Sequence, residues 1–174
     1  MKNSIYTLLI LLLFSCKSQQ VSAQYSMQNL TPFIGTWEYQ EGNQIFRVTI
    51  YEDNLHLKGD YWLIEVINGA ETILYESDYY APGTDFHWGY TIFGGSNDGN
   101  LMGAKIDDNS IGYENGVASR KRKRGSLSLT IQQQSCLNCP VTAEWKVTEL
   151  QGLKITGESE NYNIPKDIIM TKME

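Results

Sequence analysis

The chain has 174 residues, of which 41% are hydrophobic and 20% charged, and its formal net charge is −6. That length holds one domain with a real core but not comfortably two. The acidic balance disfavours nucleic acid and anionic membrane surfaces as general partners, because both attract net positive charge.

The first element is a leader. Lys2 is followed by an apolar run from Ile5 to Phe14, then Ser15-Cys16, then the polar stretch opening Lys17-Ser18-Gln19-Gln20. A basic start, a short apolar segment and a small residue before a cleavage point have the form of a secretory signal. The run is far short of the ~20 residues a membrane span needs. A cysteine directly after the small residue resembles the signal of bacterial lipoproteins. The resemblance implies a signal peptide over residues 1–15, a lipid thioether on Cys16 and acylation of the new N-terminus. The mature chain then carries 13 Lys and Arg against 20 Asp and Glu, a net of −7. Residues 16–29 read as the lipidated cysteine and a polar, flexible tether with a reach of ~20 Å.

Residues 30–174 show no long stretch of helical period. Period two recurs instead. Phe46, Val48 and Ile50 alternate with Arg47, Thr49 and Tyr51; Trp62, Ile64 and Val66 share one face of the next run. Leu127, Leu129 and Ile131 form a third such row, and Ala143, Trp145 and Val147 a fourth. β-Branched and aromatic residues dominate, as strands prefer. Turn signals separate the runs: Gly42-Asn43, Asp53-Asn54, Asn68-Gly69, Gly94-Gly95, Asp107-Asp108-Asn109, Asn115-Gly116 and Gly125-Ser126. Asn-Gly pairs supply the positive φ that two-residue hairpins need. The pattern predicts an all-β, antiparallel meander of about 8–10 strands. A barrel and a β-sandwich both satisfy it, and closure into a barrel removes exposed edges.

The start of the domain favours the barrel. Phe33, Gly35, Trp37 and Tyr39 share a face in Phe33-Ile34-Gly35-Thr36-Trp37-Glu38-Tyr39. This Gly-x-Trp on a first strand resembles the opening of lipocalin-like barrels. In that family the tryptophan plugs the closed end and a cation from the last strand packs over it. The resemblance implies Lys172, in Ile168-Ile169-Met170-Thr171-Lys172, as the partner of Trp37. The whole chain is similar to small, uncharacterised lipoproteins of Bacteroidetes-type bacteria with lipocalin-like domains. The absence of a C-terminal helical pattern departs from the standard lipocalin.

Cys136-Leu137-Asn138-Cys139-Pro140 lies between two strand-like runs. In an exported chain a disulfide between Cys136 and Cys139 is the expected state. A thioredoxin-like site needs a helix after the first cysteine, and none is patterned here. Haem attachment needs histidine at position 140, and a zinc site needs two more ligands that His56 and His87 do not supply at ligand-like spacing. Arg120, Lys121, Arg122, Lys123 and Arg124 form five consecutive cations in an acidic chain. They are candidates for an anion contact, against the simpler reading of a solvated hairpin with charges offset across the sheet. Asp107 to Gly112 departs from a calcium loop at Ile111 and Ala118, so it reads as a turn.

No Gly-x-Ser-x-Gly elbow, His-Glu-x-x-His or P-loop is present. The expectation is a non-catalytic protein with no cofactor and no metal. Aromatics crowd one third of the chain, and Tyr39, Trp62, Tyr80 and Trp88 are the candidate contacts for a ligand or partner. The Tyr79–Gly83 stretch, with Pro82, reads as a loop able to lid a barrel mouth. The leading expectation is a membrane-anchored binding module for a small apolar or amphipathic molecule, on the periplasmic side of the outer membrane. The alternative is a ligand-free accessory protein that contacts an envelope protein through its outer face. Nucleic acid is not expected as a partner.

Overall fold

The computed structural model describes residues 29–80, 83, 85–111, 122–133, 136, 138–150 and 161–173. A short 3-10 turn, Thr31–Phe33, precedes eleven strands: β1 Gly35–Glu41, β2 Gln44–Asp53, β3 His56–Ile67, β4 Ala70–Glu76, β5 Tyr79–Tyr80, β6 His87–Trp88, β7 Ile92–Gly95, β8 Leu101–Asp108, β9 Lys123–Ile131, β10 Thr142–Glu149 and β11 Asp167–Lys172. Nine form one sheet in the order β2-β1-β11-β10-β9-β8-β7-β3-β4, and β2 also pairs with β3. That extra pairing closes eight antiparallel strands into a barrel and leaves β4 outside it. Barrel, not sandwich, is the arrangement. The small β5–β6 pair stands apart from it.

Local chemistry sets the hairpins. Asn68 and Gly69 have φ of 51° and 80°, the conformation that a two-residue turn between right-twisted strands requires. The β2–β3 turn falls on Asn54-Leu55, with φ of 51° and 65°, one residue later than Asp53-Asn54. Two expected turns are strand interior instead. Gly94 lies within β7 and Gly125 within β9. A Cβ on Gly94 would sit 2.2 Å from the Gly103 carbonyl oxygen, and one on Gly125 would sit 2.7 Å from the Tyr162 hydroxyl. Both glycines serve close packing rather than a change of direction.

The interior is built from the period-two rows. Phe46, Val48, Ile50, Leu127, Leu129, Ala143, Trp145 and Val147 are all buried. On β3 the row facing inward is not Trp62, Ile64 and Val66 but the opposite one. Tyr61 pairs with Val48, and Leu63 with Phe46. The indole of Trp145 meets Phe46 edge-on, with centroids 5.4 Å apart. Such aromatic pairs add ~0.5–1.5 kcal/mol beyond area burial.

β3 changes partner along one edge. Its first half pairs with β7 and its second half with β4. The seam falls at Asp60-Tyr61. Ser77 closes it by donating its N–H to the Tyr61 carbonyl and accepting the Tyr61 N–H on its hydroxyl, both at 2.9 Å. The Thr91 N–H reaches the Gly59 carbonyl at 3.0 Å and the Asp60 carboxylate at 3.1 Å. Burial pushes the Asp60 carboxyl above its ordinary pKa.

One end of the barrel is closed. Leu30, Phe33 and Trp37 are buried there. The Trp37 indole N–H donates to the Phe33 carbonyl at 2.8 Å. Lys172 pairs with Trp37 across the β1–β11 seam, and its Nζ lies 5.5 Å from the indole centroid. That ammonium also donates to the Pro32 carbonyl at 2.8 Å. Gly35 has φ of +125°, which side chains disfavour, and a Cβ there would press on Lys172 Cε at 3.2 Å. The Gly-x-Trp spacing follows: glycine admits the lysine stem, and tryptophan lies under its charge.

Candidate ligand-binding mouth

The opposite end of the barrel carries a half-open cavity of about 500 Å³. Three inward side chains make its floor. Tyr39, Phe46 and Leu63 occupy one cross-strand row over β1, β2 and β3. A register irregularity between Leu63 and Ile64 makes Leu74 an extra residue on β4. Leu74 also lines the cavity. The facing wall is the stretch leading into β11, with Asn163, Ile164, Pro165, Lys166 and Ile168 on the lining. Glu41, Gln44 and Asp167 add polar groups.

The stretch 161–166 lies across the barrel as a strap. The Trp145 indole N–H donates to the Pro165 carbonyl at 2.9 Å, and the Val147 N–H to the Lys166 carbonyl at 2.7 Å. The Tyr162 hydroxyl donates to the Arg124 carbonyl at 2.6 Å. Ile164 buries its side chain in the core, with 3% exposed.

A buried polar network fills the neighbouring part of the interior. Asp108 ends β8, Asn109, Ser110 and Ile111 follow it, and all four are buried. The Tyr61 hydroxyl lies 3.1 Å from Asp108 Oδ1 and 3.1 Å from Asn109 Oδ1. The Tyr75 hydroxyl donates to the same Asn109 oxygen, and Asn109 Nδ2 donates to the Ser77 carbonyl at 2.8 Å. Burial pushes the pKa of both phenols up, which keeps them neutral hydrogen-bond donors. The network thus runs from the mouth to the seam at Asp60.

The sequence-derived candidates scatter over this structure. Tyr39 lines the cavity. Trp62 is half-buried on the outward face, opposite Arg47. Tyr80 is 68% exposed and stacks on His87 at 4.3 Å, and the Tyr79-Tyr80 pair is strand β5 rather than loop. Trp88 is buried, with the Arg122 guanidinium 5.3 Å over its ring, and among the described residues its indole N–H has no hydrogen-bond partner. Trp62, Tyr80 and Trp88 therefore do not join Tyr39 in one site.

The described part of the basic run faces acids on its own sheet. Arg122 reaches Asp107 at 3.2 Å, and Arg124 lies 3.8 Å from the same residue. Lys123 is buried, bonds Glu149 at 2.8 Å and lies 5.2 Å from the Tyr162 ring centroid. Arg120, Lys121 and Cys16 lie outside the described residues. Cys136 and Cys139 are joined by a disulfide in the β9–β10 connection. That connection lies at the closed end. Among the described residues, no group of three or more His, Cys, Asp and Glu is placed to hold a metal ion.

Residue-level reading of the sequence missed the strap and Asp108. A signal for the second existed. Asp108 is in phase with Met102, Ala104 and Ile106 along β8, so period two aims it inward. The same phase aims Lys123 inward ahead of Leu127, and Lys172 inward after Ile168 and Met170.

The model of a family of unknown function, DUF6705, covers residues 1–173 of the chain. No curated protein and no solved structure matches it.

Proposed function

The chain belongs to the DUF6705 family of unknown function, and we propose that it is a lipid-anchored, non-catalytic binding module of the bacterial envelope that takes a small apolar or amphipathic molecule at its mouth. The observation that carries this reading is the cavity. Its volume of about 500 Å³ falls in the ~300–1,000 Å³ range of small-molecule sites. Its floor is aromatic and aliphatic, and its remaining lining includes carboxylate, amide and ammonium groups. An apolar body buried on Tyr39, Phe46 and Leu63, with a polar end among Glu41, Gln44 and Lys166, matches that division. A lipocalin-like kinship is part of the proposal. It is supported by the eight-stranded closure and by the Lys172–Trp37 pair.

The anchor is proposed from Ser15-Cys16 after the apolar run. Two or more acyl chains meet the two signals that stable anchoring needs. The side proposed is the periplasmic face of the outer membrane.

The test is native mass spectrometry of the mature protein extracted from membranes in mild detergent. A co-purified small molecule, or one taken up from envelope lipid extract, is the expected result. A clean unliganded mass after that incubation overturns the binding proposal. For the anchor, Cys16→Ser should lose detergent-phase partitioning. Unchanged partitioning removes the lipoprotein assignment.

A second reading is favoured by one feature of the outer wall. His56, Phe93 and Tyr90 form a ring ladder, with centroids 4.9 Å and 6.2 Å apart, and Lys58 Nζ lies 4.2 Å from the Tyr90 centroid. Phe93 and Tyr90 are 40% and 45% exposed. Exposed rings in a group suit a protein contact better than solvent. Under this reading the chain is an accessory protein of the envelope. A pull-down lost on Phe93→Ser and Tyr90→Ser, with small-molecule binding intact, would favour it.

A further inference from the structure

One buried carboxylate bonds the strap that makes a wall of the cavity. Asp108 is fully buried, and its two oxygens serve different parts of the molecule. Oδ1 accepts from the Tyr61 hydroxyl, the Ser110 N–H and the Ser110 hydroxyl. Among the described residues, Oδ2 accepts from the strap: the Asn163 N–H at 2.6 Å and the Ile164 N–H at 3.3 Å. Asn163 and Ile164 both line the mouth cavity. Downstream, the strap is fixed by Trp145 and Val147 through the Pro165 and Lys166 carbonyls. The strap is thus fastened at 165–166, tied at Tyr162 to the Arg124 carbonyl, and held over the mouth at 163–164 by Asp108 together with the buried Ile164 side chain.

We propose that Asp108 is a positioning residue of the binding site, a latch that holds the 161–166 strap as one wall of the mouth cavity and so governs ligand entry and exit. This rests on the binding reading above for its consequence, but the latch itself is a property of the strap. A neutral amide fills this role less well than the carboxylate. Two backbone N–H groups converge on Oδ2, and Asn presents one oxygen and one NH₂. Asn can turn its oxygen to the strap and its NH₂ to the Tyr61 and Ser110 hydroxyls, which also accept, but the Ser110 N–H then meets a donor and the strap loses a charged acceptor for a neutral one. Hydrogen bonds to a charged acceptor are also about twice as strong as neutral ones.

The experiment compares Asp108→Asn with Tyr61→Phe. Both change the hydrogen bonds of the same carboxylate, and only the first weakens the acceptor that faces the strap. The readouts are hydrogen exchange at the Asn163 and Ile164 amides by NMR, and release of the neutral fluorophore N-phenyl-1-naphthylamine. Asp108→Asn is expected to speed exchange of those two amides by about tenfold, the loss of roughly one charged hydrogen bond, and to speed probe release. Tyr61→Phe is expected to change neither. Equal effects of the two variants, or acceleration spread over all barrel amides, overturns the latch and leaves Asp108 a fold residue. If the wild type binds no probe, the binding reading is weakened, and the exchange arm still decides the latch. If Asp108→Asn does not fold, exchange in the wild type decides. Opening of 163–164 ahead of the β10 amides supports the latch, and exchange only through global unfolding overturns it.

Discussion

Replacing Trp37 by phenylalanine probes the closed end with a magnitude that follows from its contacts. The substitution removes the indole N–H that satisfies the Phe33 carbonyl at 2.8 Å. Phe33 and Trp37 are both 0% exposed, so water does not take over that bond. An orphaned buried acceptor costs ~1–3 kcal/mol. The smaller ring leaves a gap under Lys172, and partial loss of a buried aromatic adds ~1–2 kcal/mol. The sum is ~3 kcal/mol, equivalent to a fall in Tm of roughly 6–12 °C for a domain of this size. Lys172→Met keeps the stem and removes the charge. It loses the bond to Pro32 and the contact with the indole. It also removes the burial cost that lowers the pKa of this ammonium, so its net effect is smaller. Urea unfolding of the two single variants and the double variant completes a cycle. The expected coupling is ~0.5–1 kcal/mol, the value of a partly exposed cation on an aromatic face. Additive behaviour, or a cost below ~1 kcal/mol for Trp37→Phe, would refute the account of this end as a hydrogen-bonded and cation-capped plug.

Asp60 makes a pH prediction. Burial holds its carboxyl above the ordinary 3.8, so the folded state grips that proton more tightly than the unfolded chain. Its contribution is complete below the unfolded value and is lost as pH rises through the raised folded one. The stability of wild type minus that of Asp60→Asn should therefore fall from acid to neutral pH, and a flat or rising difference contradicts this. Gly94→Ala should cost ~1–3 kcal/mol by over-packing, because its Cβ would meet Gly103 O at 2.2 Å and Ala104 Cβ at 2.5 Å. Thermal melts read this directly, and an unchanged Tm contradicts it. The Cys136→Ser, Cys139→Ser variant should stay folded and lose only ~2 kcal/mol or less, since the bond closes a short loop. Loss of the far-ultraviolet β signal would show a larger role. Leu63→Asp places a carboxylate on the apolar floor and should abolish N-phenyl-1-naphthylamine binding, measured by fluorescence titration. Binding that survives places the probe elsewhere.

The wall of the barrel was legible because its residues obey period two. Phe46, Val48 and Ile50 on β2 and Ala143, Trp145 and Val147 on β10 alternate with polar neighbours and face inward as expected. β3 was harder because it is apolar on both faces. Ile64 is 1% exposed although it lies on the face opposite Tyr61 and Leu63, so alternation does not tell inside from outside. The mouth was illegible for a different reason. Its floor row joins Tyr39, Phe46 and Leu63 through register, and its far wall comes from residues 163–168, well over a hundred positions after β1. No local pattern encodes that meeting. The aromatic crowd between Tyr61 and Phe93 drew attention by composition, yet its members divide among core, seam and surface. Charges were legible in type but not in role. Asp108 and Lys123 read as a turn and a cationic run, and become interior groups because each occupies the inward phase of its strand.

The pairing of β1 with β11 has a consequence for how the barrel forms. Every hairpin in the meander joins stretches close in sequence, whereas the contact between Lys172 and Pro32 spans 140 residues. It is also a short seam, with only Trp37↔Lys172 and Glu38↔Thr171 in register. Loop entropy must be overcome before such a distant contact gives anything back, so this seam closes late. Until then the sheet is open, and β1 and β11 present unpaired edges of the kind that recruit other chains. The lysine over the tryptophan, formed with that late seam, therefore acts mainly by slowing the barrel's reopening. It fastens the last seam and ends the interval in which the nascent barrel is exposed to aggregation.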